Sequence, residues 1–182
     1  VCMTYLGDGA VNQGQVYESF NMSALWKLPV VFIIENNKYG MGTSVTRASA
    51  GRSLAERGKA YGIPGMEVDG MNVLSVRQAG KEALDYARKG KGPYILEMKT
   101  YRYRGHSMSD PAKYRTRSEV DAVRQQKDSI ERLKETLQEN NIKDDQLKII
   151  DGEIKSIVSE ASEFAEQSNL PDKEELMTDV YL

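Results

Sequence analysis

Apolar residues in this chain fall into short runs and spaced stripes, separated by glycine, proline and polar turns. Residues 1–6 (VCMTYL) read as a buried strand, closed by Gly7-Asp8-Gly9. From about Gln13 to Lys27, Val16, Phe20, Ala24 and Leu28 recur on one helical face, and Pro29 stops the helix. Val30-Val31-Phe32-Ile33-Ile34 follows, mostly β-branched and typical of a strand buried on both faces. Residues 36–42 form a polar loop with glycines, and 53–60 a short helix. Met66-Glu67-Val68 is a short strand ended by Asp69-Gly70. Helical spacing returns from Val73 to Arg88 and ends at Gly90 and Gly92. Pro93 to Tyr101 reads as a further strand.

Strands and helices that alternate through such short connections predict a parallel α/β sheet. Residues 102–117 (RYRGHSMSDPAKYRTR) read as a loop, and Ser118 is the expected N-cap of a helical C-terminal region. Helices are expected at about 128–139 and 144–167. In the second, Leu147, Ile150, Ile154, Ile157, Val158, Ala161 and Phe164 form an apolar stripe. Packing on its own domain is the plainer expectation for this stripe, and contact with a partner subunit is the alternative. The division expected is an α/β domain over 1–117 and a helical extension over 118–182. Since the chain opens on a bare core strand with no lead-in, a further N-terminal region is expected to precede it.

With 182 residues, 40% hydrophobic and 29% charged, the composition is that of an ordinary globular protein. A formal net charge of −2 gives no global reason to expect nucleic acid. The charge is uneven, however. Residues 1–110 carry 14 basic and 10 acidic side chains, a net of +4, and the remainder carries 11 and 17, a net of −6. An anionic ligand therefore suits the first part. Cys2 is the only cysteine, so no internal disulfide forms, which fits a reducing compartment. No apolar run approaches the roughly 20 residues that cross a bilayer.

The most informative feature is a pair of turns. Gly7-Asp8-Gly9 follows the first strand and Asn36-Asn37 the second. Strands of a parallel sheet end at a common edge, and ligands of open α/β sheets bind there. Asp8 offers a carboxylate oxygen and Asn37 an amide oxygen, a hard-oxygen pair that suits Mg2+ with open positions for phosphate and water. Gly9 and Ala10 let backbone N–H groups approach a phosphate, beside the positive end of the next helix. Either turn alone is usually only a turn; together they read as a magnesium–diphosphate site. Physics alone leaves a nucleoside diphosphate open beside thiamine diphosphate. Of the two strand glutamates, Glu35 is expected to orient the Asn36-Asn37 turn and Glu97 to be a plain strand residue.

The spacing of GDG, about 26 residues and NN matches the thiamine diphosphate fingerprint. GDGAVNQGQVYESFNMSALWKLPVVFIIENNKYGMGTS, IPGMEVDGMNVL, GKGPYILEMKTYRYRGHSMSDPAKYRTR and the tail PDKEELMTDVYL closely resemble the alpha subunits of thiamine-diphosphate-dependent 2-oxoacid dehydrogenases, over essentially the whole chain. YRYRGHSMSDP favours the pyruvate branch, with the acetoin and branched-chain 2-oxoacid branches as alternatives. The chain is identified as resembling the C-terminal half of such a subunit. The resemblance implies a thiamine-diphosphate-binding fold and oxidative decarboxylation of pyruvate, with acetyl transfer to the lipoyl group of dihydrolipoamide acetyltransferase. It implies a beta subunit in a heterotetramer of two alpha and two beta chains, and a bacterial cytoplasm or mitochondrial matrix. Asp8, Asn37 and the Tyr39 carbonyl match the family's magnesium ligands, Gly9 and Ala10 its diphosphate contacts. The carboxylate that activates the aminopyrimidine belongs to the beta subunit.

His106, the only histidine, matches the family's loop histidine beside the cofactor, so a catalytic or phosphate-binding role is expected of it. Ser107 and Ser44 match positions phosphorylated in eukaryotic relatives, whereas Lys113 stands where many of those carry another serine. The five basic residues of the 102–117 loop could also form a solvated surface or an RNA strip, but no recognised nucleic-acid fold accompanies them. Their mutual repulsion leads to the expectation that this loop is mobile until an anion binds. The competing reading from another class is a non-catalytic, truncated module that assembles without turning over.

Overall fold

The β-branched run at Val30–Ile34 is covered on both faces, and the structure shows by what. It is a computed structural model that describes residues 1–51 and 53–179. Strand β1 (Cys2–Gly7) leads through a 3-10 turn to helix α1 (Gly14–Leu25), strand β2 (Val30–Asn36), a small hairpin of β3 (Tyr39–Gly40) and β4 (Thr43–Ser44), and the one-turn helix α2 (Val45–Ala48). A 3-10 segment (Ala55–Tyr61) precedes β5 (Gly65–Asp69), α3 (Val73–Arg88) and β6 (Tyr94–Lys99). Helices α4 (Arg117–Lys127), α5 (Ser129–Glu139) and α6 (Asp144–Gln167) follow. Two compact units result, Val1–Leu133 and Lys134–Leu182.

In the first unit, four strands form a parallel sheet in the order β1-β2-β6-β5, so the expected α/β class holds. Alternation along β2 divides the core. Phe32 and Ile34 pack with Val16 and Phe20 of α1, Ile95 of β6 and Leu54. Val31 and Ile33 pack on the other face with Tyr94, Leu96 and Met98 of β6 and with α3. Ala79, Ala83 and Ala87, one turn apart on α3, keep that helix close to the sheet. Because all four strands run the same way, the turns after Gly7, Asn36, Asp69 and Lys99 share one edge.

Several local expectations change. β1 pairs only with β2 and is an edge strand, with Met3 and Tyr5 exposed, so its apolar run is not buried as read. The polar loop after β2 contains the β3–β4 hairpin, whose residues are too few to show a periodicity. The expected helix at 53–60 is 3-10. The α4 N-cap is Thr116, not Ser118: the Thr116 hydroxyl accepts the Glu119 N–H at 3.2 Å. In the second unit, Ile150, Ile154, Ile157, Val158 and Phe164 of α6 are each at least 50% exposed, so the stripe does not pack on its own domain as expected. Among the described residues, that unit holds no other element long enough to cover a 24-residue helix. The last three residues of the tail, 180–182, lie outside the described residues. Among the described residues, no helix is long and apolar enough to cross a membrane.

Candidate functional site

Asp8 sits directly after β1, where the chain turns at the sheet edge, and is only 3% exposed. Burial pushes its carboxyl above the ordinary value of 3.8, because a charge in this position has lost most of its water. Its own backbone N–H and the field of Arg102 offset only part of that. The second turn lies against the first: a Cβ built on Gly9 would stand 3.5 Å from the Gly40 Cα, which only close backbone contact allows. The turn itself is wound tightly. The Asn36 side-chain oxygen accepts the Lys38 N–H at 3.1 Å, and the Asn37 side-chain oxygen accepts the Tyr39 N–H at 3.3 Å. Lys38 (φ 75°) and Met41 (φ 54°) are both left-handed without being glycine. Such residues persist only where their surroundings hold them, commonly at ligand sites. Tyr39 is anchored through its hydroxyl, which donates to Glu119 at 3.4 Å, as Tyr101 does at 2.8 Å. Burial, then the Glu119 carboxylate, push the Tyr101 hydroxyl up to about 12.

The loop of 102–117 meets this turn through Arg102. Its guanidinium donates to the carbonyl oxygens of Tyr39 (3.3 Å) and Met41 and to the Tyr114 hydroxyl (2.6 Å), and lies 3.5 Å from His106 Nδ1. Arg115 donates to the Arg102 carbonyl and, at 2.7 Å, to the Arg104 carbonyl, and its guanidinium faces the rings of Tyr39, Tyr101 and Tyr114. Asp110 accepts the N–H groups of His106 (2.7 Å) and Ala112 (2.8 Å) and the Tyr114 hydroxyl (2.9 Å). The cationic crowding expected to loosen this loop is thus answered from within, by carbonyls and aromatic faces. Gly105 serves close approach rather than freedom, since a Cβ there would stand 2.5 Å from the Asp110 carbonyl oxygen. His106 itself is exposed, as is Ser107, whose hydroxyl is 3.0 Å from that of Ser109. Ser44 is half-buried in β4, opposite Tyr39, with its hydroxyl 3.2 Å from that of Thr46.

Asp110 carries a testable consequence. Hydrogen bonds from the His106 N–H, then the Ala112 N–H, hold its carboxyl below the ordinary 3.8. A lowered folded value means that its contribution is present above 3.8 and is lost as pH falls through the folded value. The brace is therefore intact at neutral pH. Asp110→Ala should raise the rate of tryptic cleavage at Arg104 and Lys113 several-fold at pH 7.5, with the global unfolding temperature almost unchanged. An unaltered cleavage rate would show that Asp110 does not hold the loop.

A family model for the dehydrogenase E1 component matches residues 1–174. The chain belongs to the dehydrogenase E1 component family. It is 56% identical over 183 residues to the pyruvate dehydrogenase E1 component subunit alpha of Rhizobium meliloti, covering 100% of this chain and 53% of that protein. It is 55% identical to the corresponding subunit of Zymomonas mobilis over 97% of this chain and 50% of that protein. To the mitochondrial subunit of Dictyostelium discoideum it is 53% identical, over 100% of this chain and 48% of that protein. The chain thus spans about half the length of the curated relatives it matches.

In this E1-component chain, the residues at the sheet edge fit a metal–diphosphate group. Asp8 is a buried carboxylate with little internal compensation, so a cation would offset its burial. Arg102 Nε is a buried donor with no hydrogen-bond partner among the described residues, which suits an anion. Gly9 and Gly40, both without side chains, bring the two turns together at this edge. Among the described residues, no three His, Cys, Asp or Glu side chains cluster as a metal site. One carboxylate, one amide and one carbonyl, completed by ligand oxygens, need no such cluster. The Tyr39 carbonyl now accepts from Arg102, so a metal there would share or displace that bond. A cavity of about 400 Å3 also opens at this edge, lined by Lys38, Asp69, Lys99 and Tyr101 among others. Its acidic groups are already paired, Glu67 with Lys99 and Asp69 with Arg132, unlike Asp8.

Two residues escaped the sequence reading. Arg102 carried no local signal beyond a basic loop. Glu97, read as a plain strand residue, is wholly buried and bonds Asn36 at 2.7 Å, while the Glu35 side chain is exposed and it is the Glu35 backbone carbonyl, not its carboxylate, that meets the turn, accepting the Asn37 N–H at 3.2 Å. An acidic residue amid the apolar run YILEMK was the available signal.

Proposed function

We propose that this chain is part of the alpha subunit of a thiamine-diphosphate- and magnesium-dependent pyruvate dehydrogenase, which oxidatively decarboxylates pyruvate and passes the acetyl group to a lipoyl group. The single observation that carries the reading is the buried Asp8 carboxylate, its burial only partly offset, in a turn whose next residue, Gly9, lies against Gly40 of the tightly held second turn. The names of the relatives favour the pyruvate branch over the acetoin and branched-chain ones.

When bound, thiamine diphosphate supplies the carbanion and electron-sink chemistry for loss of CO2 from a 2-oxoacid. In this reading Asp8, Asn37 and the Tyr39 carbonyl hold Mg2+, and Gly9 and Ala10 present backbone N–H groups to the diphosphate. Arg102 offers its free Nε to the same anion. His106, within reach of Arg102, is the catalytic or phosphate-binding group of the loop. Ser107 and Ser44 are the proposed phosphorylation positions. A phosphate on Ser107 would add about −1.5 to −2 charges beside the loop cations and compete for them.

The proposed partners are a beta subunit, in a heterotetramer of two alpha and two beta chains, and the lipoyl domain of dihydrolipoamide acetyltransferase. The proposed location is the bacterial cytoplasm or the mitochondrial matrix; two of the named relatives are from bacteria and the third is named as mitochondrial. The 182-residue chain by itself is proposed to be inactive.

The test is reconstitution. The complete alpha subunit mixed with its beta subunit should decarboxylate pyruvate and acetylate a lipoyl domain, and prefer pyruvate to acetoin and branched-chain 2-oxoacids in kcat/KM. The complete alpha subunit alone should do neither. Equal rates with and without the beta subunit would refute the shared site, and a mixture that binds cofactor without turnover would favour the non-catalytic reading.

A further inference from the structure

Glu97 lies in the middle of β6, on the sheet face that packs against α1, and is 0% exposed. A carboxylate there is tolerable only if every oxygen is met. The structure meets both. One oxygen accepts the Asn36 Nδ2 at 2.7 Å. The other accepts the N–H groups of Leu54 (2.7 Å) and Ala55 (3.0 Å) and the Ser53 hydroxyl (3.3 Å). All four partners are donors, and only a group that accepts at both oxygens answers them all.

The bond to Asn36 reaches further than Asn36. With its Nδ2 held by Glu97, the Asn36 amide must turn its oxygen to the Lys38 N–H, at 3.1 Å. That bond holds Lys38 in its left-handed conformation and winds the chain so that the Asn37 side-chain oxygen and the Tyr39 carbonyl follow at the sheet edge. We infer that Glu97 is a positioning residue for the metal-binding turn, acting through Asn36 to aim the Asn37 amide and the Tyr39 carbonyl. The inference rests on the magnesium–diphosphate reading of Asp8, Asn37 and Tyr39.

The donor pattern makes the relay testable. In Glu97→Gln, the new amide N–H2 faces either the Leu54 and Ala55 N–H groups or the Asn36 N–H2. The second conflict is relieved only by flipping Asn36, which sets its N–H2 against the Lys38 N–H. Asn36→Ala cuts the same relay from the other end and leaves Glu97 its three partners at 53–55. The double variant Glu97→Gln with Asn36→Asp restores the match: the glutamine donates to one aspartate oxygen, and the other accepts the Lys38 N–H. Ser53→Ala touches only the other arm.

In the assembled full-length enzyme with thiamine diphosphate, Mn2+ serves as the probe, followed by electron paramagnetic resonance for bound and free metal. Unfolding temperature without metal is recorded beside it. Glu97→Gln and Asn36→Ala should each weaken Mn2+ binding roughly 10- to 100-fold, as loss of a supporting partner does at other metal sites. The double variant should recover most of that affinity, and Ser53→Ala should leave it unchanged. If Glu97 only fastens the 53–55 segment, Glu97→Gln lowers the unfolding temperature with Mn2+ affinity intact. That result, or undiminished affinity in Asn36→Ala, overturns the inference while Asp8→Ala still loses metal. Equal Mn2+ binding by wild type and Asp8→Ala would instead overturn the metal-site reading, and this inference with it.

Discussion

Asp8→Ala should abolish magnesium-dependent retention of thiamine diphosphate in the assembled enzyme while leaving the metal-free fold at least as stable. Asp8 is the only anionic group in the proposed ligand set. Loss of a supporting partner alone costs metal sites about 10- to 100-fold, so loss of this ligand should cost on the order of 100-fold or more. The stability effect has the opposite sign. Burial raises the Asp8 carboxyl above 3.8 in the metal-free protein. A raised folded value means that its favourable contribution is present below 3.8 and is lost as pH rises through the folded value. At neutral pH the charged carboxylate therefore opposes folding until a cation arrives. Asp8→Asn, which keeps the shape without the charge, should raise or preserve the metal-free unfolding temperature and flatten its dependence on pH just above 3.8. Calorimetry of cofactor binding with Mg2+, paired with thermal unfolding without it, measures both effects. Unchanged cofactor affinity in Asp8→Ala would remove Asp8 from the site.

Phe20→Ala should do the reverse, with a large loss of stability whose origin lies away from the ligands. Phe20 is 0% exposed and forms the hub of the α1-side core. Its ring meets Phe32 edge-on at 4.8 Å, with Tyr17 at 5.9 Å and Tyr61 at 6.2 Å. Truncation leaves a cavity between α1, β2 and the 3-10 segment, which these rigid neighbours cannot fill. Such changes cost about 3–5 kcal/mol. For a domain of this size, that corresponds to a fall of roughly 6–20 °C in Tm. Chemical denaturation of the complete alpha subunit would measure it, and a loss below about 1 kcal/mol would mean that the core repacks around the gap. Asp8 and Phe20 thus separate the anchoring of the ligand from the anchoring of the fold.

Much of this arrangement was legible along the chain, because it depends on short-range chemistry. α3 spans Val73–Arg88 as its spacing predicts, and β2 extends the β-branched run. The Gly7-Asp8-Gly9 and Asn36-Asn37 turns follow strands that the apolar pattern marks, and a parallel sheet then has to end both at one edge. What only the tertiary structure decided are matters of register and of reach. Whether Glu35 or Glu97 stands behind the turn depends on the pairing of β2 with β6, which sets Glu97 beside Ile34 on the α1-side face, fully buried, and Glu35 beside Met98 on the opposite face, where its side chain is exposed. A side chain's face alternates with every residue, and nothing local fixes which partner strand lies opposite. The apolar run of β1 has the composition of a buried strand, but its position at the end of the sheet leaves it exposed. Counting charges in the 102–117 loop predicted repulsion, since sequence shows cations but not the carbonyls and rings that meet them. Tyr39, 63 positions from Arg102, supplies one such carbonyl, and only folding brings it there. The sequence by itself thus determined the main strands and helices, and that the Gly7-Asp8-Gly9 and Asn36-Asn37 turns end at one sheet edge. The tertiary structure decided which buried carboxylate holds that edge in shape, because that choice rests on contacts between segments distant along the chain.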